Sequence, residues 1–245
     1  MRMRIPPAAW SVARLSAAVV MIAAIVTQFR STVVDAVADG RDVGTVVVNF
    51  LSFFTILSNA FGAVVLLIAV VRYWRHRGSA REPRTLTLAL ACATTYLAIT
   101  GIVYNLLLRH LTAADAEVPW TNEVLHVIAP LFFLVDLLLA PGRRSLPWGA
   151  VLTALAFPLV WVGYTLARGP LVTDPDDGVP FWYPYPFLNP NGVNGWGGVT
   201  AYVIGIAIAF VVIGAIVVGV GKLRARAHAA SHPAAVPAER EANPA

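Results

Sequence analysis

The stretch VTAYVIGIAIAFVVIGAIVVGVG, from Val199 to Gly221, contains no charged residue and decides the fold of this chain. An α-helix needs about 20 apolar residues to cross a hydrocarbon layer of about 30 Å, so this run predicts a membrane-spanning helix. The whole chain has a mean hydropathy of +0.71 and only 13% charged residues. Soluble domains carry about 25% charged residues. The composition therefore indicates an integral membrane protein and excludes an ordinary soluble domain.

Five further apolar stretches of similar length lie along the chain, three of them also without a charged residue. The predicted spans are Trp10 to Phe29, Val46 to Val71, Leu86 to Leu108, Pro119 to Leu139, Trp148 to Ala167 and Val199 to Gly221. We expect an all-α polytopic membrane protein in which residues 1–227 form one bundle of six transmembrane helices. The basic start also suits a cleaved signal, but the small-residue pattern from Ala36 to Ala38 lies too far downstream. We therefore expect the first helix to be retained.

The basic residues predict the orientation of the bundle. Fourteen of the 18 Lys and Arg residues fall in the N-terminus, the tail and the loops on their side of the bundle. Because such residues concentrate on the cytoplasmic side, both termini are predicted to be cytoplasmic in a multi-pass protein of the cell membrane. The net charge of +5 is then explained by contact with anionic membrane lipids, and no nucleic-acid partner is expected.

Two segments outside the spans have a distinctive composition. The loop from Arg168 to Gly198 contains Trp182-Tyr-Pro-Tyr-Pro-Phe187, in which prolines exclude helix and aromatic rings suit a membrane interface. We expect it to lie as a cap on the bilayer surface. The Ala- and Pro-rich residues 228–245 are predicted to form a disordered cytoplasmic tail. The single cysteine, Cys92, excludes an intrachain disulfide.

The second predicted span carries an unusual polar face. At 100° per residue, four of its polar side chains fall within about 120° of one another. They are Asn49, Ser52, Thr55 and Asn59. Such residues often hold transmembrane helices together or bond back to their own helix, so a structural role is the alternative to a binding pocket.

The fourth predicted span places Asn122, Glu123 and His126 on one side of its helix. Ionisable groups inside a bilayer are costly and indicate function, and histidine suits proton transfer near neutral pH. The missing N–H of Pro130 should free the carbonyl of His126 and kink the helix. Two alternatives remain: a structural histidine bonded to a neighbouring helix, and a hydrated Glu123 near the end of its span.

Thr55 and His126 are expected at similar depths, about 14 Å and about 10 Å from the ends where their helices enter. A hydroxyl within reach of an imidazole is the minimal arrangement for an activated oxygen nucleophile, with a third group, here Asn122 or Glu123, steering the base. Tyr104, on the third span, is a candidate for the same pocket. The pattern does not favour a metal site, and no cofactor is expected. Asp136, by contrast, is expected to pair with Arg143 or Arg144 near the opposite end of the bundle.

The motifs Phe53-Phe-Thr-Ile-Leu-Ser-Asn59 and Trp120-Thr-Asn-Glu-Val-Leu-His126, with Pro130, resemble the Pr6Pr family of bacterial six-span proteins. They also resemble the related androgen-induced-gene-like membrane proteins of the FAR-17a family, and the resemblance covers roughly residues 10–221. It implies an intramembrane hydrolase of fatty acid esters of hydroxy fatty acids, with Thr55 as nucleophile and His126 as base. The eukaryotic pattern has a second histidine where Glu123 stands here, which leaves the substrate and the activity open.

Two hypotheses follow from the sequence. The first is a membrane-embedded hydrolase of lipid-like esters that reach Thr55 and His126 laterally from the bilayer. The second is a non-enzymatic membrane protein, either a small-molecule or proton-linked transporter or a lipid-binding subunit. No internal repeat between the two halves of the chain supports transport. The oligomeric state stays open, because no sustained stripe of small residues is present.

Overall fold

The computed structural model describes residues 6–76, 82–110 and 118–230, with residues 228–230 described by their backbone alone. Within these ranges the chain is helical and contains no strand. Six helices are long and apolar enough to cross a membrane: Pro7–Ala38, Phe54–Arg75, Arg84–Leu108, Pro119–Leu139, Ala150–Leu171 and Gly195–Ala227. The predicted all-α class with six spans is therefore confirmed for the described residues.

The helices have the following bounds in chain order. They are α1 (Pro7–Ala38), α2 (Val43–Ser52), α3 (Phe54–Arg75), α4 (Arg84–Val103), α5 (Pro119–Glu123), α6 (Ala129–Leu139), α7 (Ala150–Arg168) and α8 (Gly195–Ala230). Two π-helical turns, Tyr104–Leu108 and Val124–Ile128, extend α4 and join α5 to α6. The backbone of residues 228–230, predicted to be disordered, is helical in α8. The rest of the predicted tail lies outside the described residues.

The second predicted span, Val46 to Val71, is broken at Phe53. Helix α2 ends at Ser52, Phe53 is extended with φ −68° and ψ 129°, and α3 begins at Phe54. The indole N–H of Trp161 donates to the carbonyl of Ser52 at 2.9 Å, and the ring of Phe53 packs edge-on against Trp182 and Tyr185. The prediction of one continuous helix is wrong because these tertiary contacts outweigh the local helical propensity.

Helix α4 forms the centre of the bundle and contacts α3, α6, α7 and α8. Its interior side chains are mostly small, so the backbones of neighbouring helices can approach it closely. Gly101 shows how close: a Cβ there would lie 3.1 Å from the main-chain oxygen of His126 and 3.1 Å from the ring of Pro130. The first helix, α1, packs mainly on α3, while α7 and α8 have the most exposed faces. The two residues that carry the candidate chemistry therefore lie on elements that pack against the core of the bundle.

The loop before α8 folds into the bundle and does not lie flat on it as expected. Tyr185 and Leu188 are buried and belong to an apolar cluster with Phe54, Tyr96 and Phe210. The loop is held at Gly169, whose carbonyl accepts from the main-chain N–H of Trp182 at 2.9 Å. A Cβ at Gly169 would lie 2.1 Å from the ring of Tyr183, so no larger residue fits there in this packing.

A buried carboxylate ties together the end of the bundle at which α6 finishes, which we call the Asp136 end. Asp136 is fully buried and accepts hydrogen bonds from Trp10 at 2.6 Å and from Arg14 at 2.7 Å. It also pairs with Arg143, one of the two predicted partners. Arg14 reaches Glu82 as well, at 2.7 Å. This network joins α1 to α6 and to the loops before α4 and after α6. Thr55 lies toward the opposite end of the bundle, which we call the Thr55 end.

Candidate functional site

The Thr55 hydroxyl and the His126 imidazole are in direct contact. Thr55 Oγ1 lies 3.2 Å from His126 Nε2, although the two residues are 71 positions apart in the chain. Thr55 is the second residue of α3, and His126 lies in the π-turn between α5 and α6. Both side chains are buried, each with 9% of its residue surface exposed. The structure thus brings together the hydroxyl and the base that the sequence placed at similar depths.

The imidazole is oriented by a main-chain carbonyl. His126 Nδ1 lies 3.0 Å from the main-chain oxygen of Asn122, which can only accept a hydrogen bond. In the neutral ring Nδ1 therefore carries the proton and Nε2 is free to accept one. Thr55 Oγ1 is then the donor in the contact with Nε2. This is the arrangement in which a histidine can withdraw the proton of an attacking hydroxyl.

The local chain geometry explains why His126 stands at this point. Pro130 has no N–H to give to the carbonyl of His126, four residues earlier. The helix widens into the π-turn Val124–Ile128, and the side-chain amide of Asn105 donates to the freed carbonyl at 3.3 Å. π-turns inside α-helices are frequent at functional sites. The carbonyl that Pro130 was predicted to free therefore receives a side-chain donor from the π-turn that follows α4, and the predicted kink stays a prediction.

Tyr104, predicted as a pocket residue, packs on the imidazole. The two ring centroids are 3.9 Å apart and the planes are inclined by 21°. The side-chain amide of Asn122 donates to the Tyr104 hydroxyl. Asn122 therefore acts on His126 in two ways, directly through its carbonyl and indirectly through Tyr104.

Tyr185 is the site residue that the sequence reasoning missed. Its hydroxyl lies 3.3 Å from Thr55 Oγ1 and 3.3 Å from the main-chain nitrogen of Thr55. Since the Thr55 N–H can only donate and the Thr55 hydroxyl proton is directed to His126, the Tyr185 O–H donates to Thr55 Oγ1. The signal for it in the sequence is the aromatic segment Trp182–Phe187, which is predicted to lie on the bilayer surface.

Asn59 holds the two halves of the site together. Its side-chain nitrogen donates to the carbonyl of Thr55 at 2.9 Å and to the carbonyl of Leu125 at 3.1 Å. Ser58, which was not predicted, donates to the same Thr55 carbonyl at 3.1 Å and contacts the hydroxyl of Thr100 at 3.0 Å. Both residues on α3 therefore have the helix-joining role that was the alternative for the polar face.

Three of the predicted residues do not touch the Thr55–His126 pair. Glu123 points away and pairs with Arg109 at 2.9 Å, where both side chains are nearly half exposed. That hydrogen-bonded pairing raises the pKa of the Arg109 guanidinium. Asn49 accepts from Arg168 at 2.7 Å, and Ser52 bonds to the carbonyl of Val48 and to Tyr164. The break at Phe53 separates Asn49 and Ser52 from Thr55, so the predicted single polar stripe is wrong.

The described residues contain no group of three or more His, Cys, Asp or Glu side chains that could hold a metal ion. Comparisons of the chain with models of known protein families, with functionally described proteins and with solved structures gave no match. What the site can do chemically must therefore be argued from its geometry. It places the Thr55 hydroxyl between an oriented imidazole and a phenol hydroxyl.

Proposed function

We propose that this chain is a membrane-embedded hydrolase of lipid-like esters. The observation that carries the proposal is the contact of 3.2 Å between Thr55 Oγ1 and His126 Nε2, with Nδ1 held by the carbonyl of Asn122. The motif resemblance described above points to the same pair and to fatty acid esters of hydroxy fatty acids as the substrate class. The apolar exterior of the six helices suits a substrate that arrives through the bilayer.

The proposed reaction has two halves. In the first, Thr55 Oγ1 attacks the ester carbonyl while its proton passes to His126 Nε2, and His126 then gives that proton to the departing alkoxide. The product of this half is an acyl-threonine and a free alcohol. In the second, His126 takes a proton from water, the hydroxide attacks the acyl-threonine, and the returning proton restores the threonine hydroxyl as the carboxylic acid leaves.

Two donors suit the negative charge that forms on the carbonyl oxygen. The main-chain N–H of Thr55 lies in the first turn of α3, so it has no partner within the helix and faces the Tyr185 hydroxyl. The positive end of the helix dipole lies at the same place. Either this N–H or the Tyr185 O–H is suited to stabilise the oxyanion once the nucleophile has moved to the substrate.

The test uses purified protein in neutral detergent with a fluorogenic long-chain acyl ester, a fatty acid ester of a hydroxy fatty acid, and a fluorophosphonate probe. Thr55→Ala and His126→Gln should abolish hydrolysis and labelling, and Thr55→Ser should retain both. Thr95→Ala is the matched control, because Thr95 is a buried threonine whose hydroxyl donates to the carbonyl of Ala91 in its own helix. Equal labelling of wild type, Thr55→Ala and His126→Gln would remove the proposal.

A second candidate function is transport, favoured by one observation. The chain is interrupted at Phe53 between α2 and α3, beside the candidate site, and interrupted helices line the substrate sites of many transporters. In this case His126 would carry protons and the Thr55 hydroxyl would be dispensable. A proton-linked solute flux in proteoliposomes that is lost in His126→Gln but kept in Thr55→Val would favour transport over hydrolysis.

We further propose that both termini face the cytoplasm of the cell and that membrane lipids are the immediate partners. The support is the concentration of arginine at the Asp136 end, where α1 begins and α8 finishes. Reporter fusions test the orientation: alkaline phosphatase should be inactive when fused after Arg226 and active when fused within the loop at Asp177. The reverse pattern would contradict this orientation.

A further inference from the structure

Arg109 lies where the two π-turns of the candidate site come together. It directly follows the turn that begins at Tyr104, and its main-chain N–H donates to the carbonyl of Tyr104 at 2.8 Å. Its side chain reaches the other helix and pairs with Glu123, the residue just before the turn that carries His126. The side chain of Arg109 therefore links the two chain segments whose rings are stacked in the site.

The link between Arg109 and Glu123 has two contacts. Nη1 of Arg109 lies 2.9 Å from one carboxylate oxygen of Glu123, and Nη2 lies 3.2 Å from the other. An exposed ion pair with a single contact contributes little to stability, but two contacts between a guanidinium and a carboxylate also fix the relative orientation of the groups. The residue before Glu123 is Asn122, whose carbonyl orients the His126 imidazole. The pair therefore holds the backbone next to the group that sets the tautomer of the base.

Arg109 also supports the main chain of His126 through Asn105. Its Nε donates to the side-chain oxygen of Asn105 at 2.9 Å. Because a guanidinium can only donate, this contact fixes which side of the Asn105 amide faces away from the arginine. The amide nitrogen then donates to the carbonyls of Gly101 at 2.8 Å and His126 at 3.3 Å. A change at position 109 should therefore loosen the donor that replaces the one missing at Pro130.

A further contact of Arg109 is with the aromatic ring that packs on the imidazole. The guanidinium carbon lies 5.3 Å from the centre of the Tyr104 ring, and that ring is stacked on His126. A cation within about 6 Å of a ring centre is attracted to the face of the ring. One arginine therefore acts on His126 through the Tyr104 ring, through Asn105 and through Glu123.

We propose that Arg109 is a positioning residue for His126 and that its pairing with Glu123 keeps the imidazole in place against Thr55. This inference rests on the proposed hydrolysis and deepens it. The contact of 3.2 Å between Thr55 Oγ1 and His126 Nε2 allows proton transfer only within a narrow range of ring positions. A small displacement of the ring therefore lowers the rate without changing how substrate binds. Glu123, predicted to orient the imidazole, then does so through Arg109 and not by direct contact.

The first experiment measures ester hydrolysis per folded protein in Arg109→Gln, Glu123→Gln and the double variant. Arg41→Gln is the matched control, because Arg41 also pairs with carboxylates at the Thr55 end, those of Asp39 and Asp176, but lies between α1 and α2. We expect kcat to fall by about three- to tenfold in Arg109→Gln and by about two- to fivefold in Glu123→Gln, with KM changed by less than about twofold. The double variant should fall no further than Arg109→Gln, because the effect of Glu123 passes through the arginine. Arg41→Gln should keep the wild-type kcat.

The second experiment follows His126 without any substrate. NMR spectra of the ring nitrogens are recorded in mildly alkaline buffer on protein with isotopically labelled histidine, and His126→Gln identifies the His126 signals. Wild type should show the neutral ring with its proton on Nδ1, as the contact with the carbonyl of Asn122 requires. In Arg109→Gln the share of rings with the proton on Nε2 should rise, whereas Arg41→Gln should match wild type.

The proposal is overturned if Arg109→Gln keeps kcat within about twofold of wild type, or if its His126 spectra are those of wild type. A rise in KM that accounts for the whole loss of kcat/KM would also overturn it, since Arg109 would then bind substrate. Losses that multiply in the double variant would show that Arg109 and Glu123 act separately, against the proposal. If Arg109→Gln fails to fold, Glu123→Gln carries the same two tests. If wild-type protein hydrolyses no ester, the proposed function fails by itself, and the spectra still decide whether Arg109 positions the ring.

Discussion

The phenol ring of Tyr104 lies nearly flat on the imidazole of His126, with the ring centroids 3.9 Å apart. Each ring belongs to a π-turn, one at the end of α4 and the other between α5 and α6. The widened turns bring two helix backbones that are already close at Gly101 into a position where the rings overlap. Together with the carbonyl of Asn122, the Tyr104 ring therefore limits how the imidazole can turn away from Thr55.

The stacked ring should matter for the rate of ester hydrolysis. Replacing Tyr104 with Leu removes the flat surface, and a stacked aromatic pair contributes about 0.5–1.5 kcal/mol beyond its buried area. We expect kcat to fall by about two- to tenfold with little change in KM. Tyr104→Phe keeps the ring and loses only the contact with Asn122, so it should retain most of the rate. Equal losses of kcat in the two variants would show that the hydroxyl, and not the stacked ring, determines the rate.

The Tyr185 hydroxyl should act on the nucleophile itself. Tyr185→Phe leaves the ring packed on Phe53 but removes the contacts of the phenol oxygen with the Thr55 N–H and with Thr55 Oγ1. Loss of one donor to a developing oxyanion costs about 100- to 1,000-fold in kcat, so a fall of about this size is expected if the phenol serves that role. A fall of less than about tenfold would instead assign the phenol to ground-state positioning of Thr55.

Tyr183→Phe is the matched control for Tyr185→Phe. Tyr183 stands two residues earlier in the same loop and packs on Gly169, away from Thr55. Its variant should keep full activity and the same unfolding midpoint. If both variants lose activity equally, the loss belongs to the loop as a whole and the specific role of the Tyr185 hydroxyl is wrong.

Gly101 should be intolerant of substitution because two backbones approach there. A methyl group would meet the His126 carbonyl oxygen and the Pro130 ring, each at 3.1 Å, which is tighter than ordinary packing. We expect Gly101→Ala to lower the free energy of unfolding by about 1–3 kcal/mol. The rate of hydrolysis should fall by more than the loss of folded protein explains. Gly205→Ala on α8, where nothing lies within 4 Å, should leave both unchanged. Normal activity in Gly101→Ala would show that the close approach does not position His126.

Asp136 should be the main determinant of stability at its end of the bundle. Asp136→Asn leaves Arg14 and Arg143 buried without their shared carboxylate. Breaking a buried pair in this way costs about 3–5 kcal/mol, so the apparent unfolding temperature in detergent should drop markedly. Asp35→Asn, which alters an exposed carboxylate near the other end, should have no measurable effect. Equal unfolding temperatures for Asp136→Asn and wild type would contradict a stabilising role for the network.

The parts of the fold that were predictable from sequence are those set by composition along a single helix. The apolar runs located all six spans, although the second is shorter than predicted, and the fourth, Pro119–Leu139, has the predicted bounds. The need of the His126 carbonyl for another donor followed from the missing N–H of Pro130, and the pairing of Asp136 with Arg143 followed from their nearness in the chain. Local rules suffice for such features.

The features that were missed depend on contacts between distant segments. Tyr185 lies 130 positions from Thr55, and no spacing rule links them. The break at Phe53 has no proline or glycine to announce it, since it is imposed by Trp161 and by the loop before α8. The role expected of a side chain in orienting His126 belongs to the main chain of Asn122, which every residue type offers equally.

The bond between Arg14 and Asp136 spans 122 positions of the chain. During synthesis the first helix is therefore made long before Asp136 exists, and until the fourth span emerges its guanidinium can pair only with Glu82, water or lipid phosphate. The first helix can settle into its final position only after that moment. Maturation of this end of the protein is thus tied to the order in which the ribosome delivers its segments.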